Sequence, residues 1–223
     1  ILFLIWFFIW LLIWFLTWTA LESLFNYYKL SLSSKMKIAF TGRPTYGVAE
    51  AWNKYTNYET DFFSRTNEWN FDKREHQREF AKFMVEQDYD VFVNSSALSK
   101  FNQTNLLKEV VEIWNEAGKG GRIICIGSTA DRHNKATEWV YPTQKKALRE
   151  YSASLSMKGI WDNWPIKVSY ISFGSLQTKQ VHAKHPDRTL MEMKRVVETI
   201  DYIINQPTDT LISEIRIDPI QNV

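Results

Sequence analysis

The sequence has almost no excess charge and only one cysteine. Its 223 residues include 27 lysines and arginines and 25 aspartates and glutamates, which gives a formal net charge of +2. Proteins that bind nucleic acid usually carry a marked basic excess, so no nucleic-acid partner is expected. Cys125 cannot form a disulfide within the chain, and it stands in an apolar run that predicts a buried strand. Nothing in the composition requires an oxidising compartment, and we expect a cytoplasmic protein.

Charge is absent altogether from residues 1–21. An apolar helix needs about 20 residues to cross a bilayer, so this segment has the length of a membrane anchor. The alternative is an upstream stretch outside the working protein, because the segment is a low-complexity mixture of Ile, Leu, Phe and Trp and Met36 directly precedes the first predicted strand. A secretory signal fits poorly, since a basic leading region is missing. Residues 1–35 are therefore set apart, with Ser31 to Lys35 as linker, and a membrane partner is expected only if the anchor is genuine.

Beyond residue 36, short apolar runs alternate with longer amphipathic stretches. Such repeated strand–helix units are typical of a parallel sheet. The predicted strands are 37–41, 61–64, 90–94, 122–127, 167–172 and 214–217, and the main predicted helices are 48–55, 75–87, 104–117, 143–158 and 191–205. Residues 36–223 are expected to form one α/β domain, a Rossmann-like doubly wound parallel sheet in three layers (α/β/α), with ligands at the carboxyl ends of the strands.

A glycine-containing turn follows the first predicted strand. Residues 41–49 read Thr-Gly-Arg-Pro-Thr-Tyr-Gly-Val-Ala and lead into a helix. Glycines let the backbone approach a pyrophosphate, and the free amides at a helix start favour its negative charge. The usual fingerprint has three glycines and this turn has two, so a simple strand–helix connection stays an alternative. The candidate cofactor contacts here are Gly42, Arg43, Gly47 and Val48.

Ser64-Arg65-Thr66 stands at the end of the second predicted strand. In dinucleotide folds this position faces the adenosine ribose, where an acid bonds the 2′-hydroxyl and an arginine accommodates a 2′-phosphate. Arg65 therefore predicts that NADP(H) is preferred and NAD(H) is possible, with Ser64 and Arg43 sharing the phosphate. The alternative is a solvated arginine at a strand end. Asp72 is a candidate acceptor for the adenine amino group, or an exposed loop aspartate.

The candidate catalytic group consists of Ser128, Tyr141 and Lys145. Tyr141 and Lys145 are four residues apart, so on a helix they share one face. A lysine ammonium about 4 Å from a phenol favours the phenolate by up to ~4 kcal/mol at an effective dielectric of ~20. That corresponds to roughly three pKa units before desolvation, which predicts a tyrosine that titrates near neutrality. Pro142 is tolerated only in the first turn of a helix and places Tyr141 at its positive end, which acts in the same direction.

These motifs together resemble the short-chain dehydrogenase/reductases. The resemblance rests on the glycine turn, Asn94-Ser95-Ser96-Ala97, Ser128, Tyr141-Pro142-Thr143-Gln144-Lys145 and residues 172–178, Ser-Phe-Gly-Ser-Leu-Gln-Thr, and it covers residue 36 to the end. It implies that Tyr141 exchanges the proton with the substrate oxygen, Lys145 holds the nicotinamide ribose and Ser128 bonds the carbonyl. The sequence departs from the family in the spacing of its glycines, at Ser95 and Ser96, and at Phe173, where proline is usual.

Further roles follow from the same resemblance. Asn105 is similar to the family's helix asparagine that anchors a proton-relay water, with Asn102 as a competitor. Asn94 and Ser95 would lie beside the cofactor, Gly174 and Thr178 would flank the carboxamide and diphosphate, and the Ile171 backbone would meet the nicotinamide. A homodimer or homotetramer is expected.

The leading function is reversible carbonyl/alcohol conversion of a small molecule with a nicotinamide cofactor. The alternatives are a non-catalytic nucleotide-binding protein with a regulatory or assembly role, and a membrane-anchored scaffold that rests only on residues 1–21. The lid, residues 177–189, is polar and contains His182 and His185. Two histidines three residues apart are too few ligands for a metal site, so no metal is expected. The sequence leaves the substrate open.

Overall fold

The computed structural model describes residues 6–7, 10–11, 13–22, 36–96, 98–132, 138–184 and 186–220. The predicted linker, Ser31 to Lys35, and the residues Ala97 and His185 lie outside these ranges. The chain divides into two compact units. One is residues 1–36 with 57–59, and the other is residues 37–56 with 60–223.

The described residues of the first unit before position 23 are helical. Trp14 and Trp18, one turn apart, stack with ring centroids 5.8 Å from each other, and both are largely exposed. Within the ranges given above, no helix has both the length and the apolar character needed to span a bilayer.

The second unit is built on a six-stranded sheet, as the sequence predicts. Its strands are β1 (Lys37–Thr41), β2 (Glu59–Phe63), β3 (Val91–Asn94), β4 (Gly121–Ile126), β5 (Ile166–Phe173) and β6 (Glu214–Ile217). Their spatial order is β2-β1-β3-β4-β5-β6, and the pairs β1–β3, β3–β4, β4–β5 and β5–β6 are parallel. In the sheet, β2 lies on one side of β1 and β3 lies on the other, so the direction of winding changes between β1 and β3. Ligands of doubly wound sheets bind at such a switch point, at the carboxyl ends of the strands.

Helices cover both faces of this sheet. They are α1 (Gly47–Tyr55), α2 (Arg74–Glu86), α3 (Asn102–Glu116), α4 (Tyr141–Trp161), α5 (Lys179–Lys184) and α6 (Met193–Ile204). Helix α1 packs on α6, and α2 and α4 pack on α3. The Rossmann-like α/β fold is therefore confirmed. Helix α5 was not predicted, because its six residues are too few to show a helical period.

The core consists of apolar side chains from β1, β3, β4 and β5 and the inner faces of the helices. Cys125 is fully buried in it, as predicted, and burial raises the pKa of its thiol to about 12. A thiol in this state stays protonated and packs as a small apolar side chain.

Candidate active site

A cavity of about 520 Å³ opens at the carboxyl ends of β1, β2 and β3. We call it the nucleotide cavity. It brings together seven residues that the sequence singles out, from three separate segments. Its lining consists of Thr41, Gly42, Arg43, Tyr46, Gly47, Val48, Ala49, Ser64, Arg65, Trp69, Asn70, Phe71, Ser95, Ser96 and Leu98.

The backbone of the turn after β1 requires its two glycines. Gly42 has φ of 147°, and a Cβ there would stand 2.9 Å from the Cβ of Ala49 on α1. Gly47, where α1 begins, has φ of 60°. Side chains rarely adopt these conformations, so both positions favour glycine. The turn is therefore shaped by its backbone and leaves the cavity wall free of side-chain bulk at Gly42.

Thr41 ties this turn to the loop after β3. Its hydroxyl accepts hydrogen bonds from the backbone N–H groups of Ser95, at 2.9 Å, and Ser96, at 3.2 Å, and donates to the carbonyl of Val93. Because Thr41 is fully buried, this link is shielded from water. Two walls of the nucleotide cavity are thus fixed to each other.

Arg65 and Ser64 stand at the end of β2, as predicted. Ser64 caps a short 3-10 helix, Arg65–Asn67, and its side chain accepts a hydrogen bond from the backbone of Thr66. Arg65 is exposed and lines the cavity, and none of the ion pairs among the described residues involves it. Its guanidinium is therefore placed where it can meet an anion in the cavity.

Asp72 does not line the nucleotide cavity. Its carboxylate accepts hydrogen bonds from Ser99 Oγ and Asn102 Nδ2, both at 3.1 Å, and it lines a second cavity of about 450 Å³. Asn70 and Phe71 line the nucleotide cavity where the sequence suggested Asp72. The contact of Asp72 with the adenine amino group therefore stays a prediction from residue type alone.

Ser128, Tyr141 and Lys145 come together at the carboxyl end of β4. Tyr141 is the first residue of α4, with Pro142 in the first turn as predicted, and the nearby side chain of Ser128 acts to lower the pKa of its phenol. The Lys145 Nζ lies 5.5 Å from the centre of the Tyr141 ring. Trp139 stacks on the Tyr141 ring, with the two ring centroids 4.8 Å apart.

Lys145 is buried, with 4% of its surface exposed, and points inward. Its Nζ donates to Gln103 Oε1 at 2.7 Å and to the Ile126 carbonyl at 3.0 Å. Burial lowers the pKa of Lys145 from 10.5 to about 8, although nearby acidic groups oppose this. An ammonium has three N–H donors, so one remains for a ligand.

The electrostatics of Tyr141 differ from the sequence-based expectation. Burial raises the pKa of its phenol above 10, the hydrogen bond with Ser128 lowers it, and the carboxylate of Asp131 raises it further. The expected shift toward neutrality assumed an ammonium close to the phenol oxygen and no desolvation. In the structure the ammonium is directed at Gln103 and Ile126, and desolvation dominates. Tyr141 is therefore a protonated phenol at neutral pH, ready to donate a proton.

Gln103 is the residue that sequence reasoning missed. Its backbone carbonyl accepts from Asn94 Nδ2 at 3.0 Å, and its Nε2 donates to the carbonyls of Asn94 at 2.8 Å and Ile126 at 3.1 Å. It therefore joins the end of β3, the end of β4 and Lys145. Nothing in a single sequence separates this glutamine from the other polar residues at the start of α3.

Asn105, the predicted relay residue, does not join this network. Its Nδ2 donates to Asn102 Oδ1 at 3.3 Å, and both asparagines line the second cavity with Asp72. Asn94 does lie in the network, and its Oδ1 is buried without a hydrogen-bond partner. Such a buried acceptor is costly unless a water or ligand completes it.

The segment after β5 is held by the C-terminal strand. The Gly174 N–H donates to the Ile217 carbonyl at 2.8 Å, and a Cβ at Gly174 would stand 2.6 Å from Asp218 Oδ1. Ile171 accepts a hydrogen bond from the Gly127 N–H at 2.7 Å, so its carbonyl is already engaged. Thr178 precedes α5, and its hydroxyl accepts from the Val181 N–H at 3.3 Å.

No family model matches the sequence, and no curated protein sequence matches it. Solved structures do match the fold. A 4-hydroxyisoleucine dehydrogenase complexed with NADH matches with a TM-score of 0.64 and 18% identity, over 83% of this chain and 97% of the other. A short-chain dehydrogenase from Burkholderia cenocepacia in complex with NADP matches with a TM-score of 0.63 and 16% identity, over 83% and 97%.

A short-chain type dehydrogenase/reductase from Mycobacterium marinum is similar in the same way. Its TM-score is 0.66 at 14% identity, and the match covers 83% of this chain and 95% of that one. At such low identities the similarity shows the fold. The chain accordingly has the fold of the short-chain dehydrogenases and reductases.

Proposed function

We propose that the chain is an NAD(P)-dependent oxidoreductase of the short-chain dehydrogenase/reductase type that interconverts a carbonyl compound and an alcohol. The observation that carries this proposal is the meeting of Tyr141 with Ser128 beside the buried Lys145, at the same edge of the sheet as the nucleotide cavity. Tyrosine and serine hydroxyls both donate to oxygen, so the pair suits a substrate carbonyl.

The cavity fits a dinucleotide. Gly42 leaves room that a Cβ would fill, and the start of α1 offers free N–H groups. A pyrophosphate is stabilised by such a turn and helix start. The bound nicotinamide supplies or accepts the hydride, and everything else in the reaction falls to this chain's side chains.

Tyr141, Ser128 and Lys145 each have a separate role in the proposed reaction. Tyr141, protonated at neutral pH, donates its proton to the substrate oxygen during reduction and takes it back during oxidation. Ser128 holds that oxygen through its hydroxyl. The Lys145 ammonium uses two donors on Gln103 and Ile126, and its third N–H would be the one to hold the nicotinamide ribose. Gln103 and Asn94 keep this arrangement in place without contacting the substrate.

NADP(H) is the preferred cofactor in this proposal. Arg65 and Arg43 line the nucleotide cavity with Ser64, and a guanidinium binds a 2′-phosphate through two parallel charge-assisted hydrogen bonds. A homodimer or homotetramer, and a cytoplasmic location, remain predictions of the same proposal.

The direct test is a panel of carbonyl compounds mixed with the purified chain and NADPH, followed by loss of the reduced cofactor. Oxidation of NADPH that depends on one of these compounds supports the proposal. Tight NADPH binding with no turnover across aldehydes and ketones of varied size would favour the alternative, a non-catalytic nucleotide-binding protein.

A further inference from the structure

Behind Ser128 and Lys145 lies a buried pair formed by Tyr170 and Asp131. Tyr170, on β5, is 1% exposed, and Asp131, in the turn after β4, is 2% exposed. The Tyr170 hydroxyl donates to Asp131 Oδ2 at 2.7 Å and lies 3.5 Å from the carbonyl oxygen of Lys145. The Ser128 backbone lies close enough to this hydroxyl to lower the pKa of Tyr170, against the larger effects of burial and Asp131. One phenol thus contacts the turn that carries Ser128 and the helix that carries Lys145.

The turn itself is short and rigid. Ser128 caps the 3-10 helix Thr129–Asp131, with its Oγ accepting from the Ala130 N–H at 3.2 Å. Asp131, the last residue of that helix, is therefore fixed relative to Ser128 by a single turn of backbone. The hydrogen bond that fixes the Asp131 carboxylate therefore also restricts the position of the Ser128 hydroxyl.

Gly127 shows how closely the phenol approaches this turn. A Cβ at Gly127 would overlap the Tyr170 hydroxyl and the Cζ of its ring. The residue directly before Ser128 must be glycine because Tyr170 fills the space that a side chain would take. The Tyr170 ring thus packs directly on the backbone of Gly127, in the volume that a side chain at position 127 would occupy.

We propose that Tyr170 and Asp131 form a positioning pair that sets the orientation of Ser128 and Lys145 for proton transfer to the substrate. This inference rests on the proposed function. Burial and the neighbouring Asp131 carboxylate raise the pKa of Tyr170 well above 10, so its hydroxyl keeps the proton that it donates to Asp131. The pair acts through Ser128 and Lys145 and does not touch the substrate.

The test compares three variants with a matched control. Tyr170→Phe and Asp131→Leu each remove the hydrogen bond from one end, and the double variant leaves no buried group unsatisfied, so it is the one expected to keep native stability. Tyr89→Phe is the control, because the Tyr89 hydroxyl donates to Asp61 Oδ2 at 2.6 Å and Tyr89 precedes β3, at the opposite end of the sheet.

The double variant should lose roughly 10- to 100-fold in kcat, the range expected when reacting groups are misplaced by about 1 Å. Its KM for NADPH should stay within about twofold of the wild-type value, since the nucleotide cavity is formed by other segments. A fourth variant, Asp131→Asn, keeps an oxygen acceptor for the Tyr170 hydroxyl. Its kcat should stay close to that of the wild type and well above that of Asp131→Leu. A folded double variant with a kcat within threefold of wild type would overturn the proposal, as would an equal loss in Tyr89→Phe.

A second readout does not depend on turnover. Backbone amides of residues 128–132 should exchange hydrogen roughly three- to tenfold faster in the double variant than in the wild type, since one hydrogen bond is lost. Unchanged exchange would overturn the positioning role. If no carbonyl compound is turned over by the wild type, the proposed function fails, and the exchange measurement still decides whether the pair holds the Ser128 turn.

Discussion

The two halves of the candidate site are built in different ways. The nucleotide cavity is shaped mainly by backbone: Gly42 and Gly47 have positive φ, Thr41 ties two loops together, and the guanidinium of Arg65 is exposed. The chemical half is built from buried side chains, in which Lys145, Gln103, Tyr170 and Asp131 bond one another or the ends of strands. The first half should tolerate changes of side chain better than changes of backbone, whereas the second should lose activity when single polar atoms are removed.

The largest expected effect is in the chemical half. Tyr141→Phe removes only the hydroxyl that transfers the proton, so turnover should fall by about 10² to 10⁴, the usual contribution of one positioned acid or base. NADPH affinity should be nearly unchanged, as measured by calorimetry. Tyr202→Phe, on an exposed face of α6, is the control and should behave as wild type. Turnover by Tyr141→Phe within twofold of the wild type would refute the assignment.

Arg65→Ala tests the nucleotide half. A charge-assisted hydrogen-bonding group contributes roughly 1.5 to 3 kcal/mol, so the Kd for NADPH should rise about 10- to 150-fold. The affinity for NADH should change far less, because NADH has no 2′-phosphate, and Arg43 will reduce the loss if it shares the phosphate. Arg195→Ala, at an exposed pair with Glu198, is the matched control. Equal losses for both cofactors would make Arg65 a structural residue, and a wild-type preference for NADH would contradict the NADP(H) assignment.

Two separate variants, Gly42→Ala and Gly47→Ala, test whether the backbone conformation of the turn after β1 requires glycine at each position. Alanine at position 42 meets both an unfavourable φ and a Cβ contact of 2.9 Å, whereas a Cβ at position 47 meets nothing within 4 Å. Gly42→Ala should lower the free energy of unfolding by about 1 to 3 kcal/mol. Gly47→Ala should cost about 1 kcal/mol, the strain of a left-handed alanine. Urea unfolding measures both, and the reverse order would show that the turn is not as close to α1 as described.

The buried ammonium provides a test that depends on pH. Lys145 has a folded-state pKa of about 8, below its unfolded value of 10.5, so the unfolded chain binds more protons between these values. Folding stability should therefore rise with pH above 8, by up to about 1.4 kcal/mol per pH unit, relative to a Lys145→Met variant. Lys158→Met, at an exposed pair with Asp162 on the same helix, is the control and should track the wild type. Parallel stability curves for the wild type and Lys145→Met would show that the ammonium is not desolvated.

Much of the fold follows from local patterns in the sequence. All six strands were predicted within two residues of their observed ends, because buried strands of a parallel sheet are short apolar runs between polar segments. Tyr141 and Lys145 were grouped by their spacing of four residues on one helix, and Ser128 was added to them by the resemblance to a known family. The side chains of Arg65 and Ser64 reached the predicted cavity because strand ends at one edge of a sheet bring their following residues together.

The parts that could not be predicted depend on packing between distant segments. Gln103 was missed because its three partners, Asn94, Lys145 and Ile126, come from other elements. Asn105 was chosen from the neighbouring polar residues by resemblance. The predicted pKa of Tyr141 had the wrong direction, because the cost of burial cannot be read from a spacing of four residues. Asp131 and Tyr170 are 39 positions apart in the chain, and only the fold brings them together.

We propose that this chain moves hydride between a nicotinamide and a carbonyl carbon while Tyr141 supplies the proton. The most direct measurement uses NADPH that carries deuterium at the transferable position, together with a carbonyl compound found in the panel, and analyses the alcohol product by mass spectrometry. We expect one deuterium on the carbinol carbon with the wild type and almost no product with Tyr141→Phe. An alcohol without deuterium, or equal product from both proteins, would contradict it.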